Sequence, residues 1–329
     1  MKFIALLLLT FWLLDAKTLL RTQVIMATLV TITADKEDEN LIADGFNIMK
    51  SVEMSLSSYD PKANVFLLNK NLHTKVDNYL YEALLLSKEY YEKTDGYFDI
   101  TVGSITKDLY RFGEDERVAT LDELDGAKVG FNALWFDADK AFLQKGFKAD
   151  LGGMGKGYGV DKVAEHFRKN GVSSAVIAAS GDIRCLGLCR VDVQNPFSDE
   201  KVLLSFETQK PDLGITTSGN YNRYVTSAKN NHLIDPKTKR AQSSFISITL
   251  VGELKSSDLD AYATAASVMP PHKAYAFLES LGVGYIIVQS DKKMVISPNK
   301  EKYMKIDFLS DTFKKYPQDE KNEPQKEKK

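Results

Sequence analysis

Residues 149–163, Ala-Asp-Leu-Gly-Gly-Met-Gly-Lys-Gly-Tyr-Gly-Val-Asp-Lys-Val, hold five of the chain's twenty glycines, with Lys156 among them. Backbone without Cβ atoms can press close to a ligand or to another element. After Gly159 the apolar residues Val160, Val163, Ala164 and Phe167 recur at helical spacing until Gly171, which predicts a glycine loop feeding a helix N-terminus. Free N–H groups and the helix dipole favour an anion such as phosphate at such a place. The named phosphate loops do not fit: no Ser or Thr follows Lys156, and no three of these glycines take the G-x-G-x-x-G spacing. A tight turn and an anion site both stay open.

A length of 329 residues allows one large domain or two, and 43% hydrophobic with 27% charged residues is ordinary for a globular core. A net charge of −2 argues against a nucleic-acid binder, which would carry a basic excess. Met1-Lys2 followed by the apolar run Phe3 to Leu14 has the length and charge of a signal peptide, predicted to end at Ala16. The run is short for a bilayer span. An N-terminal strand or an uncleaved anchor is the alternative, and export to the periplasm, free or associated with the inner membrane, is the expectation. Cys185 and Cys189 are spaced one residue wider than a C-x-x-C pair and have no second pair to complete a metal site. A small-loop disulfide and two free core thiols are both compatible with this. Residues 314–329 are almost all charged or polar and are predicted to be disordered.

Between these ends, β-branched residues over 21–33 predict a first strand, and apolar spacing predicts helices over about 37–56 and 76–93. Turn chemistry at Ser57-Ser-Tyr-Asp-Pro61 separates them. Short strands are expected near 134–136, 141–143, 174–179, 202–207, 222–227, 245–251 and 283–289, with helices near 257–268 and 271–281, the latter opening on Pro271. Strands and helices mix without strict βαβ alternation. An α+β fold with largely antiparallel sheet follows.

Three separated stretches carry polar residues suited to chemistry. Asp150 and Lys156 lie in the glycine stretch. Asp260 and Thr264 sit four apart, on one helical face, and a carboxylate with a hydroxyl suits a hard cation such as Mg²⁺. Capping of that helix by Asp258 or Ser257, with Thr264 merely packed, is the structural alternative. The third is Thr217-Ser-Gly-Asn-Tyr-Asn-Arg-Tyr224 with Asn231-His232-Leu-Ile-Asp-Pro236, where His232 stands in a polar loop from which a base could reach substrate. His73, His166 and His272 have no such setting, and none of the four is spaced for zinc.

Taken together, Tyr59-Asp-Pro, Gly96-Tyr-Phe-Asp-Ile-Thr-Val-Gly103, Asp150-Leu-Gly-Gly-x-x-Lys-Gly-Tyr, Ser180-Gly-Asp-Ile, Thr217-Ser-Gly-Asn-Tyr, His232-Leu-Ile-Asp-Pro and Asp260-Ala-Tyr-Ala-Thr264 resemble the ApbE family of FAD:protein FMN transferases in order and spacing. The resemblance runs from about Met26 to about Ile296. It implies a T-fold-related arrangement of mixed, largely antiparallel sheets flanked by helices, in one domain over residues 20–310. It also implies FAD as substrate, Mg²⁺ as cofactor, and transfer of FMN to a Thr or Ser hydroxyl of a target protein with release of AMP.

By matching positions, Met26, Tyr59, Tyr97, Phe98, Asp99, Asp150 and Lys156 would contact FAD, with Tyr59 offering an aromatic face. Asp260, Thr264 and the Gly153 carbonyl would hold the metal. Lys156 would help neutralise the phosphates, and His232 would take the acceptor proton. The implied partner is a subunit of a membrane redox complex, such as a sodium-pumping quinone reductase (Nqr) or an Rnf-type complex. Where the family often has Ser-Gly-Asp-Tyr, this chain has Ser218-Gly-Asn-Tyr221, one charge fewer. Hydrolysis of FAD to FMN and AMP at the same site, and exported FAD binding without catalysis, are the competing readings.

Overall fold

The computed structural model describes residues 17–197 and 202–311, so the signal-peptide reading of residues 1–16 and the charged tail over 314–329 lie outside the described residues. A sheet of eight strands runs through the described chain in the order Thr18–Ile25, Thr28–Asp35, Ala175–Ala179, Asp182–Cys185, Leu213–Gly219, Phe245–Gly252, Gly284–Gln289 and Met294–Ile296. Every neighbouring pair is antiparallel. Two three-stranded sheets and one two-stranded ribbon flank it. The α+β expectation holds.

The single strand expected over 21–33 is a hairpin. The chain reverses at Met26 and Ala27, both at φ 55°, as a two-residue hairpin turn with both central residues left-handed requires. Both arms are β-branched and the turn lacks Gly, Asn and Asp, so composition conceals it. The strand expected over 222–227 does not form: a single bridge between Tyr224 and Asn231 replaces it. There Thr226 is left-handed at φ 63° and the Asn231 amide donates to Ala228 O and Gln242 O, so polar side chains hold a loop. The helix Asn64–Asn71, not expected, buries only Val65 and Leu68. That is too few apolar positions to show a period.

The glycine stretch is the larger correction. The helix starts at Gly155 and runs to Lys169, so three of the five glycines are helical. Glycine inside a helix costs roughly 0.5–1 kcal/mol against alanine, and close packing explains its presence. A Cβ at Gly157 would stand 2.4 Å from Ser256 O, and one at Gly159 would stand 2.7 Å from Met49 Sδ. Gly157 thus lets the backbone of the Ser256–Val268 helix approach, and Gly159 admits the Glu39–Leu56 helix. Val160, Val163, Ala164 and Phe167 bury against Ile32 and Ile177 of the sheet.

The Ser256–Val268 helix is capped from outside itself. Its N-cap residue is Lys255, which makes no side-chain cap bond. The buried Asp161 carboxylate instead accepts Ser256 N–H (2.8 Å), Ser257 N–H (2.8 Å) and Ser257 Oγ–H (2.7 Å). Asp258, expected as a cap, accepts the Tyr90 hydroxyl at 2.8 Å. Cys185 and Cys189 form a disulfide.

Candidate active site

The N-terminus of the Gly155–Lys169 helix meets the Ser256–Val268 helix over a buried charge cluster. Lys156 Nζ lies 2.9 Å from Asp182 Oδ2 and 3.4 Å from Asp260 Oδ2. The Gly157 N–H donates to Asp260 Oδ2 at 3.2 Å, and the Thr216 hydroxyl donates to Asp182 Oδ1. Asp182 is 2% and Asp260 3% exposed, so two carboxylates share one ammonium out of water. Burial and then the charge of Asp182 push the Asp260 carboxyl well above its usual range, despite Lys156 and Gly157. Burial works against the Lys156 charge, but the two carboxylates outweigh it and hold the ammonium above its ordinary value.

This cluster is one positive charge short. Beside it, Thr264 Oγ1 donates to Gly153 O at 3.3 Å, which places a hydroxyl and a carbonyl oxygen together one turn from Asp260. Any Cβ at Gly153 would come 3.1 Å from Thr264 Cγ2 and 3.3 Å from Phe98 Cε2, so the loop passes there because it is bare. Phe98 is fixed by edge-on contact with Tyr90, which in turn packs edge-on against Tyr262. Among the described residues no three His, Cys, Asp or Glu side chains form a metal cluster. The oxygens of Asp260, Thr264 and Gly153, with a charge deficit beside them, fit a hard cation that completes its shell with water and phosphate.

A second cluster surrounds Tyr59 and Asp150. Asp150 Oδ2 accepts the Thr106 hydroxyl at 2.7 Å and Oδ1 accepts the Gly152 N–H at 3.0 Å. Burial raises this carboxyl, but Lys107, Arg223 and those two hydrogen bonds outweigh it and leave it below the usual range. The Tyr59 hydroxyl donates to Phe112 O at 2.7 Å and receives Arg223 Nη2. Lys107 Nζ sits 3.0 Å from the centroid of the Tyr59 ring.

His232 lies between the clusters and feels the charges of Arg223, Lys156 and Asp150. Its Nδ1 is 3.1 Å from Arg223 O. A carbonyl only accepts, so Nδ1 carries the proton and Nε2 presents a lone pair. Burial, with the positive charges of Arg223 and Lys156, brings the imidazole down to about 4. It is neutral at physiological pH.

Of the residues expected from sequence, Lys156, Asp260, Thr264, Gly153 and Phe98 come together, and Tyr59, Asp150 and His232 form the adjoining wall. Met26 reaches the same helix start: its N–H is held by Glu53 Oε1 at 2.6 Å, and a Cβ at Gly155 would lie 3.7 Å from Met26 Cε. Tyr97 and Asp99 make local contacts of their own. The Asp99 carboxylate accepts the Thr101 N–H and hydroxyl at 2.8 and 2.7 Å, closing its own loop. The Tyr97 ring is flanked by Lys237 and Lys273 at 4.3 and 5.6 Å. Asn220, where a charge was missed, donates to Phe245 O at 2.9 Å and so locks a loop to a strand.

Asp182, Lys107 and Arg223 were not singled out. Asp182 belongs to the Ser180-Gly-Asp-Ile motif and Arg223 to the polar stretch at 217–224. Lys107 had no sequence signal.

The ApbE family model matches residues 26–287. An FAD:protein FMN transferase from Haemophilus influenzae is 27% identical over 81% of this chain and 82% of its own length. One from Vibrio cholerae is 25% identical over 73% of this chain and 77% of its own. The crystal structure of the ApbE protein of Thermotoga maritima superposes with a TM-score of 0.79 at 23% identity, covering 88% of this chain and 99% of that one. With the fold, the ordered motifs and a family match across most of its length, this chain belongs to the ApbE family.

Proposed function

We propose that this protein transfers the FMN half of FAD to a Ser or Thr hydroxyl of an acceptor protein and releases AMP. The observation that carries the reading is the buried Lys156–Asp182–Asp260 cluster at a helix N-terminus, with a neutral histidine beside it, in an ApbE-family chain. The relatives' shared name supports the reaction class.

The acceptor oxygen attacks the phosphorus of the FMN half. A new P–O bond forms, the pyrophosphate P–O bond to AMP breaks, and the electron pair leaves with the AMP oxygen. His232 Nε2 takes the acceptor proton, since Nδ1–H is tied to Arg223 O. Asp182 and Asp260 hold Lys156 charged and directed, and the ammonium stabilises negative charge on the phosphates. Asp260, Thr264 and the Gly153 carbonyl would hold Mg²⁺, which when bound supplies charge neutralisation on the pyrophosphate.

The N-terminal apolar run supports export and a periplasmic site of action, and the family resemblance alone suggests an acceptor in a membrane redox complex of the Nqr or Rnf type. The test is mass spectrometry of an acceptor fragment after incubation with the protein, FAD and Mg²⁺. A mass gain of one esterified FMN, lost on chelation, is expected. FMN and AMP released at full rate without any acceptor adduct would replace the transferase reading by FAD hydrolysis.

A further inference from the structure

Lys107 follows the four-residue helix Gly103–Thr106 and is 7% exposed, yet its Nζ has no hydrogen-bond partner among the described residues. A buried ammonium has three donors to satisfy, and leaving them unused is costly. Three of its charged neighbours are engaged: Asp150 accepts from Thr106 and Gly152, Arg223 donates to Tyr59, and Lys148 pairs with Asp108. Glu114 attracts the ammonium without a hydrogen bond to it. What Lys107 does touch is the face of Tyr59, at 3.0 Å from the ring centroid. Tyr59 is itself 36% exposed, so the ammonium lies one ring away from the open surface of the cluster that also holds His232.

We infer that Lys107 is a substrate-binding residue: its ammonium donates to an oxygen acceptor of bound FAD, at the wall formed by Tyr59 and Asp150. This rests on the flavin-transferase reading. Two oxygen types on FAD share the required chemistry, the phosphate oxygens and the carbonyl oxygens of the flavin ring. Burial first, and Arg223 and Lys148 with it, bring the Lys107 ammonium down to about 8 against the opposing pull of Asp150 and Glu114. An acceptor delivered by the ligand would restore its charge, so FAD binding takes up a proton near that pH.

The test measures FAD affinity by flavin fluorescence on the full chain, wild type against Lys107→Met, with riboflavin and FMN titrated in the same way and ADP by competition. Loss of one charge-assisted hydrogen bond predicts a 10- to 100-fold weaker FAD complex. If riboflavin weakens in parallel, the acceptor is a flavin carbonyl. If FMN or ADP weakens while riboflavin does not, it is a phosphate oxygen. Equal FAD affinity in both proteins overturns the role of Lys107, whereas a wild type that binds no FAD overturns the functional reading instead. Should Lys107→Met fail to fold, the wild-type pH series decides. FAD affinity falling as pH rises through about 8 supports the role, and flat affinity from pH 7 to about 9.5 overturns it.

Discussion

Lys156 Nζ stands 2.9 Å from Asp182 Oδ2, nearer than to the Asp260 oxygen at 3.4 Å on its other side. The lysine is therefore held mainly by Asp182, which leaves Asp260 under-neutralised. A buried carboxylate in that position is a ready ligand for a cation.

Asp260→Asn should abolish Mg²⁺-dependent turnover while the chain stays folded, because the substitution removes the one charged oxygen donor beside Thr264 and Gly153. Calorimetric titration with Mg²⁺ in the presence of FAD should show binding weakened at least 10-fold, as expected for a lost charged ligand. Unchanged Mg²⁺ dependence would remove Asp260 from the metal site.

His232 titrates at about 4, below its ordinary value. A base that must be neutral works above its pKa, so the acid limb of kcat/KM should fall near pH 4 with no inflection at 6.5. The same depression has a stability consequence. Between about pH 4 and 6.5 the unfolded chain binds the proton that the folded chain refuses, so stability declines as pH falls across that window. His232→Leu should flatten the decline in urea midpoints, and a wild-type limb near 6.5 would show that the imidazole is not desolvated.

Gly157→Ala places a Cβ 2.4 Å from a backbone oxygen that has no rotamer to relieve it. Separation of the two helices should cost about 1–3 kcal/mol and loosen the charge cluster between them. Gly126→Ala is the control, since nothing lies within 4 Å of its Cβ. Thermal unfolding should separate the two by several degrees, and equal midpoints would contradict the close approach.

Asn220→Asp restores the charge common in the family but turns a donor into an acceptor facing Phe245 O. A buried pair of acceptors costs about 1–3 kcal/mol, so chemical denaturation should show a less stable protein. A more active protein of unchanged stability would instead place Asn220 in the acceptor site.

The sequence by itself determined the elements whose signal is local. The apolar positions of the helices Glu39–Leu56, Pro271–Leu281 and Asn78–Lys93 recur every three or four residues, and each helix forms close to where that spacing puts it. The ordered motifs likewise carried Asp150, Lys156, His232, Asp260 and Thr264, whose residue types already state their chemistry.

Tertiary structure decided what depends on approach between distant segments. Glycine signals bareness and not its purpose, so whether Gly157 turns a loop or admits a helix was settled by Ser256, far along the chain. Met26-Ala27 is a hairpin because two β-branched arms pair, an energy that no turn residue advertises. Lys156 and Asp260 are 104 residues apart, and the partner that holds Lys156 most closely is Asp182 on a third element. Charge, burial and hydrogen bonding at a site are properties of the folded neighbourhood, while periodicity is a property of the chain. The buried, partnerless ammonium of Lys107 belongs wholly to the former.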